Sequence, residues 1–217
     1  MAEHGRRERV WLFDLDNTLH DASPHIFPHI NRSMCEYIER HLGVDEAEAT
    51  RIRQDYWDRY GATLTGLMRH HGTDPRHFLD ETHRFHDLHR MLVFERGLGA
   101  MLRRLPGRKI VFSNAPHRYA EAILRLTGIR GEFSALYSIE RLRFRPKPAL
   151  AGFLRILRRE GLRAQDCIMV EDSLANLVTA KRLGMKTVWV SAGLRRSTHV
   201  DVRISRVTRL PALLGRL

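Results

Sequence analysis

Apolar and polar positions along the 217 residues fall into two regimes. Val10 to Phe13 form a short unbroken apolar run, which reads as a strand covered on both faces, as in the middle of a parallel sheet. After a turn-like stretch from Leu19 to Ser23, Ile26, Ile30, Met34, Tyr37 and Ile38 recur on one face up to Leu42-Gly43, the spacing of an amphipathic helix opened near Pro24. Asp45-x-x-Glu48 reads as a capping box for a helix running to about Tyr60, where Gly61 interrupts it. A shorter helix is predicted over Thr63 to His71, closed by Gly72. Asp74-Pro75 then opens another, continuing towards Leu88. Residues from about 22 to 90 are therefore expected to be helical, with no strand among them.

From Met91 the pattern alternates. Helices are predicted at 97–105, 117–127, 148–160 and 173–183, and strands at 109–112, 135–139, 167–170 and 186–190. An edge strand at 202–204 precedes a last helix through Leu214. Such alternation implies right-handed crossovers and a parallel sheet with helices on both faces, an α/β architecture. It also puts the C-terminal end of every strand on one edge of the sheet. The chain has no internal repeat or long linker, and its only seams are hinges near residues 20–23 and 90–96.

Composition bounds this picture. A 43% hydrophobic content argues for a packed core rather than disorder. No apolar run reaches membrane-spanning length, and Met1 to Arg9 lacks the apolar stretch of a signal peptide, so a cytoplasmic location is expected. Cys35 and Cys167 stand alone, which indicates neither a disulfide framework nor a cysteine zinc site. Charge is uneven: residues 1–100 hold 13 arginines against 17 acids, whereas residues 101–217 hold 24 basic residues against 8 acids, within a net charge of +12. That asymmetry is compatible with an anionic partner. The arginines are nevertheless spread over several helices without interleaved aromatics, which reads as a solvated surface and not as a nucleic-acid face.

Four groups of chemistry-bearing residues follow predicted strands. Asp14 and Asp16 end the first strand, where an ordinary Asp-Asn turn accounts for Asp16-Asn17 but not for a second carboxylate at Asp14. Ser113-Asn114 ends the next strand, Lys147 lies in a loop between Pro146 and Pro148, and Glu171-Asp172 ends a later strand. Taken singly, Ser113-Asn114 is a helix cap, Lys147 a solvated loop residue, and Glu171-Asp172 a favourable charge at a helix start. Taken together they meet on one edge. Three or four carboxylates suit Mg²⁺, while a hydroxyl, an amide, backbone N–H groups and an ammonium suit a phosphate. Lys147 is also one of only four lysines among 37 basic residues.

This ordered set resembles the haloacid-dehalogenase-like (HAD) superfamily of phosphohydrolases. Asp14-x-Asp16-x-Thr18 is similar to its first motif, Ser113-Asn114 to its second, Lys147 to its third and Glu171-Asp172 to its fourth. The resemblance implies a Rossmann-like parallel sheet core, residues 1–20 and 92–217, with an inserted all-helical cap, residues 21–91. It implies Asp14 as nucleophile and Asp16 as acid and base, since dehalogenating members lack the second acid. Ser113, Asn114 and Lys147 would hold phosphate, Thr18 would orient Asp16 or its loop, and Asp14, Asp16 (through its carbonyl), Asp172 and Glu171 would hold Mg²⁺. Asn176 stands where many members carry a further aspartate, which leaves open whether Glu171 meets the metal directly.

Leu12 to His20, Tyr60 to Leu67, Phe112 to Ala115 and Val170 to Asn176 further resemble the pyrimidine 5′-nucleotidase group. That implies a nucleoside monophosphate as substrate, with Tyr60, Thr63 and Leu64 reaching it from the cap. Leu64, Leu67 and Met68 also have the spacing of plain core positions. The alternative on the same fold is a phosphosugar mutase or a phosphatase of another small metabolite. A basic RNA-binding module would not need the acidic site, and no nucleic-acid or membrane partner is expected, only a monomer or homodimer. His83, His86 and His89 recur every third residue without an acidic partner, which is not the i, i+4 spacing of a helical zinc site; they read as a solvated helix.

Overall fold

A computed structural model describes residues 9–193 and 197–216. The first strand, β1 (Val10–Phe13), is buried at all four positions. Five helices follow: α1 (Ile26–Leu42), α2 (Glu46–Tyr60), α3 (Thr63–His71), α4 (Pro75–Thr82) and the single turn α5 (Leu88–Met91). The remainder alternates through α6 (Leu98–Arg104), β2 (Arg108–Phe112), α7 (His117–Leu126), β3 (Ala135–Tyr137), α8 (Leu150–Glu160), β4 (Cys167–Glu171), α9 (Leu174–Arg182), β5 (Lys186–Val190) and β6 (Val202–Ile204). All pairings are parallel, in the order β3-β2-β1-β4-β5-β6. The order reverses direction between β1 and β4, and open α/β sheets bind ligands at the strand ends beside such a switch point.

Alternation along β1 builds a core on each face. Trp11 and Phe13 join Val111, Ile168 and Val170 on one side, packed against α6 and α7; Val10 and Leu12 join Ile110, Phe112 and Met169 on the other, against α8 and α9. Fully burying each such side chain contributes about 1.5–3 kcal/mol. A third cluster, including Tyr37, Ile38, Leu64, Leu67 and Phe78, fills the helical segment. Ile139 and Phe144, from the loop after β3, pack into this cluster, so the helices rest on the sheet's functional edge.

Local chemistry explains the helix ends. The Asp45 side chain accepts from Glu48 N, and Gly61 and Gly72 close α2 and α3 in the left-handed conformation that glycine adopts without penalty. Two expectations fail. The helix opened by Asp74-Pro75 stops at Thr82 instead of reaching Leu88. His29 Nε2 binds the Arg84 carbonyl at 2.8 Å, and Phe85 turns inward onto Tyr119, so tertiary contacts override the continuing periodicity. The last segment, Val207–Arg216, is 3₁₀ and not α, with Pro211 inside it removing an N–H from the ladder.

Candidate active site

Asp14 extends β1 by one residue, its N–H donating to the Val170 carbonyl of β4 at 3.0 Å. The chain then turns through Asn17, whose φ of 59° is the left-handed conformation asparagine tolerates; its Oδ1 accepts from Ala22 N at 3.0 Å and Ser23 Oγ at 3.1 Å. The turn chemistry read at Asp16-Asn17 therefore exists. It leaves Asp14 and Asp16 with different partners at a buried strand end.

Asp14 belongs to a buried charge cluster. Lys147 Nζ donates to Asp14 Oδ1 at 2.6 Å and to Glu171 Oε2 at 2.7 Å, leaving its third proton without a carboxylate. Carboxylate oxygens of Asp14, Glu171 and Asp172 lie within 4.8 Å of one another. Burial, followed by the Glu171 charge, pushes Asp14 up to about 7 against the pull of Lys147. Burial likewise lifts Glu171 to about 7, and burial with the Asp14 charge raises Asp172. Burial alone would lower Lys147, but Asp14 and Glu171 outweigh it and hold the ammonium charged. Three acids against one ammonium leave net negative charge in a dry site. A hard divalent cation with oxygen ligands fits that donor set, which contains no sulfur or nitrogen ligand among the described residues.

Of the groups expected to hold phosphate, Ser113 is buried, and its Oγ accepts from Ala115 N at 3.0 Å, leaving the hydroxyl proton free to donate. Asn114 does something else. Its Nδ2 donates to the Lys147 carbonyl at 3.0 Å and its Oδ1 accepts from Lys147 N at 2.8 Å, so the side chain clamps the Lys147 loop and keeps only its second Nδ2 proton and its backbone N–H for an anion. The α7 N-terminus is not open either, because both carboxylate oxygens of Glu140 accept from His117 N.

Thr18 does not hold Asp16: its Oγ1 is buried with no hydrogen-bond partner among the described residues. Two residues missed by the sequence reading do so instead. Tyr119 Oη donates to Asp16 Oδ1 at 2.6 Å, and His20 Nε2 meets the same oxygen at 2.9 Å. Burial works to raise Asp16, but the His20 and Tyr119 bonds outweigh it and keep the carboxylate below its usual range. Burial and the Asp16 charge drive the Tyr119 phenol well above its ordinary value.

The expected specificity residues divide. Gly61, next to Tyr60, lies against the Lys147-Pro148 backbone, where an added Cβ would stand 3.2 Å from Pro148 Cδ. Tyr60 Oη itself pairs with His70 Nε2 at 2.7 Å. Thr63 Oγ1 donates to the Arg53 carbonyl and Leu64 is buried in the helical cluster, so these two serve packing, as their helical spacing allows. His83, read as part of a solvated helix, instead lies 5.8 Å from the Tyr119 ring; burial lowers it to about 4 despite the nearby Asp16 charge. That brings a helical-segment side chain to the Asp16 side of the site.

A family model described as "Hydrolase: haloacid dehalogenase-like hydrolase" matches residues 9–184. The chain is 24% identical to a phosphoglycolate phosphatase of Chromobacterium violaceum, over 93% of this chain and 94% of that protein. It is 29% identical to a 5′-nucleotidase of Pseudomonas aeruginosa, over 84% and 82%. A 66-residue stretch is 32% identical to phosphate metabolism protein 8 of Saccharomyces cerevisiae, spanning only about a fifth of that protein, 21%. Among solved structures, a HAD phosphatase from Thermococcus onnurineus superposes with a TM-score of 0.68 at 22% identity, covering 95% of this chain and 98% of that one, a likeness of fold.

Proposed function

The chain belongs to the haloacid dehalogenase-like hydrolase family, and on that premise we propose that it is a Mg²⁺-dependent phosphatase of small phosphomonoesters, working through a phosphorylated Asp14. The observation that carries this reading is the buried Lys147 bridging Asp14 and Glu171 beside Asp172, with Asp16 held by its own partners, Tyr119 and His20. Structural strand ends do not require two buried carboxylates, a third half-buried one and an ammonium.

Asp14 attacks phosphorus in line, splitting one displacement into two. The bond to the leaving oxygen breaks as Asp16 hands that oxygen a proton, and Asp16 later takes one from the water that hydrolyses the phospho-aspartate. In the free protein Asp16 is ionised, so the proton it delivers comes in with the monoanionic ester. Lys147, the Ser113 hydroxyl and the Asn114 N–H face the developing charge on the phosphoryl oxygens. Asp14, the Asp16 carbonyl and Asp172 would hold Mg²⁺, with Glu171 behind them, already bound to Lys147 and Ser173 N. When bound, the ion supplies charge neutralisation between nucleophile and phosphate.

Residues 21–91 act as the cap in this reading, closing over the edge and excluding water. The 29%-identical 5′-nucleotidase and the half-buried Tyr60 and exposed His70 rings of the helical segment support a nucleoside 5′-monophosphate, a pyrimidine one by the motif resemblance, as substrate. The phosphoglycolate phosphatase relative supports a smaller ester on the same site. Phosphate release from nucleoside monophosphates, phosphoglycolate and hexitol phosphates, with Mg²⁺ and with chelator, separates them. Asp14→Asn should abolish release; an active D14N protein refutes the mechanism. Inert nucleotides beside a hydrolysed phosphoglycolate would refute only the nucleotide assignment. Among the described residues no helix is long and apolar enough to cross a membrane, in keeping with action on small metabolites, which we place in the cytoplasm.

A further inference from the structure

Both donors to Asp16 reach the same atom. Tyr119 Oη stands 2.6 Å and His20 Nε2 2.9 Å from Oδ1, and no described residue bonds Oδ2. The proton assignments follow from the partners. A carboxylate can only accept, so the phenolic proton and the Nε2 proton both point at Oδ1. Nδ1 of His20 is buried with no partner among the described residues, so the ring has no second anchor and is fixed through Nε2 alone. Tyr119 is itself wedged by aromatic neighbours: His20 at 6.4 Å, Phe85 at 5.5 Å and His83 at 5.8 Å, the last two from the helical segment. The Asp16 side chain keeps 18% of its surface open, so one edge of the carboxylate still faces outward.

We infer that Tyr119 and His20 are positioning residues that lock Asp16 through Oδ1 and thereby assign proton transfer to Oδ2. The inference rests on the phosphatase reading of Asp16. In the first step the Asp14 oxygen–phosphorus bond forms, the ester P–O bond breaks, and the proton on Oδ2 moves to the leaving oxygen, giving a neutral alcohol. In the second, water adds to phosphorus, its proton moves to Oδ2, and the phosphorus–Asp14 bond breaks, releasing phosphate and the free carboxylate. Without the lock, the carboxyl group rotates about its terminal torsion, which has a broad, roughly two-fold profile, and Oδ2 faces the leaving oxygen for only part of the time.

The test uses leaving-group dependence. An alkyl phosphate such as glycerol phosphate or a nucleoside 5′-monophosphate needs its leaving oxygen protonated, whereas p-nitrophenyl phosphate releases a phenolate that is stable without a proton. General acid catalysis is worth about 10²–10⁴-fold, and losing one of two donors should remove about tenfold of it. Tyr119→Phe deletes one oxygen and keeps the ring packing. Its kcat/KM, which reports the step that expels the leaving group, should fall about tenfold for the alkyl ester and change less than about threefold for p-nitrophenyl phosphate. His20→Leu should show the same selectivity, and His20→Gln, whose amide reaches the Nε2 position, should largely restore it. Equal losses on both substrates, or no loss on either, overturn the inference, the first by showing a merely structural role. If the wild-type protein with Mg²⁺ releases phosphate from neither class, the phosphatase reading itself fails; if it is active and only the selectivity is missing, that reading stands and this inference falls.

Discussion

Replacing Lys147 with methionine keeps an unbranched apolar side chain of similar length but removes the ammonium that stands 5.0 Å from the Phe112 ring centroid and binds Asp14 Oδ1 at 2.6 Å and Glu171 Oε2 at 2.7 Å. The three side chains are at most 9% exposed, so water cannot take the ammonium's place. Deleting one partner of a buried ion pair costs about 3–5 kcal/mol, because the remaining charge has lost both solvent and counter-ion. Here two carboxylates are stranded with Asp172 close by, so the upper end, about 5 kcal/mol, is expected. With a urea slope of about 2.5 kcal/mol per molar, that is a midpoint lower by about 2 M, measured in chelator so that no cation substitutes for the lysine. K147M/E171Q removes one stranded charge and should be more stable than K147M, though equally inactive. A K147M midpoint within about 0.3 M of wild type, or a double variant no more stable than the single one, would refute the view that this lysine holds the cluster together.

Two further outcomes test the rest of the molecule. In Gly66→Ala the added Cβ would stand 2.1 Å from Tyr56 Cγ, a ring atom that cannot yield without parting α2 from α3; a loss of about 1–3 kcal/mol is expected, and an unchanged melting midpoint would contradict that packing. Asp201 accepts from Lys181 Nζ at 2.5 Å and from Thr187 N at 2.9 Å; burial works against it, but these bonds outweigh burial and hold its carboxyl below the usual range. A lowered folded pKa means stability present above the unfolded carboxylate range and lost as pH falls from there through the lower, folded pKa. D201N should therefore be less stable than wild type by about 1–2 kcal/mol at pH 7, with the gap narrowing as pH falls below the usual carboxylate range; a gap independent of pH in urea titrations would contradict the assignment.

Much of this was legible because backbone demands leave marks in sequence. The Asp45-x-x-Glu48 box, Gly61, Gly72 and the apolar quartet of β1 each satisfy a local requirement, and the structure places those elements within a residue of expectation. Six parallel strands also bring Asp14, Lys147, Glu171 and Asp172 to one edge, as the alternation implied. The misses are tertiary. His83 to Asp87 contains no glycine or proline, so only the contact of Phe85 with Tyr119 reveals that the helix has ended. Tyr119 sits with Ala120, Ile123 and Leu124 on the buried face of α7 and reads as core. The available signal was its hydroxyl: a buried tyrosine needs a polar partner, and the first turn of α7 follows directly on Ser113-Asn114. Asn114 has a second task that its sequence position does not announce: its amide also holds the backbone of Lys147.

The position of β1 has a consequence for biosynthesis. Its neighbours in the sheet are residues 108–111 and 167–170, so the most apolar stretch of the N-terminal region emerges long before either partner exists. At about 5–20 residues per second, roughly 8–30 s pass between translation of β1 and of β4. During that interval the helices from α1 to α4, whose contacts are local, can gather around their own apolar cluster while Val10–Phe13 still lacks β4 beside it. Closing the sheet around this buried strand is thus a late, long-range step, because one of its two flanking strands is made more than a hundred residues after it.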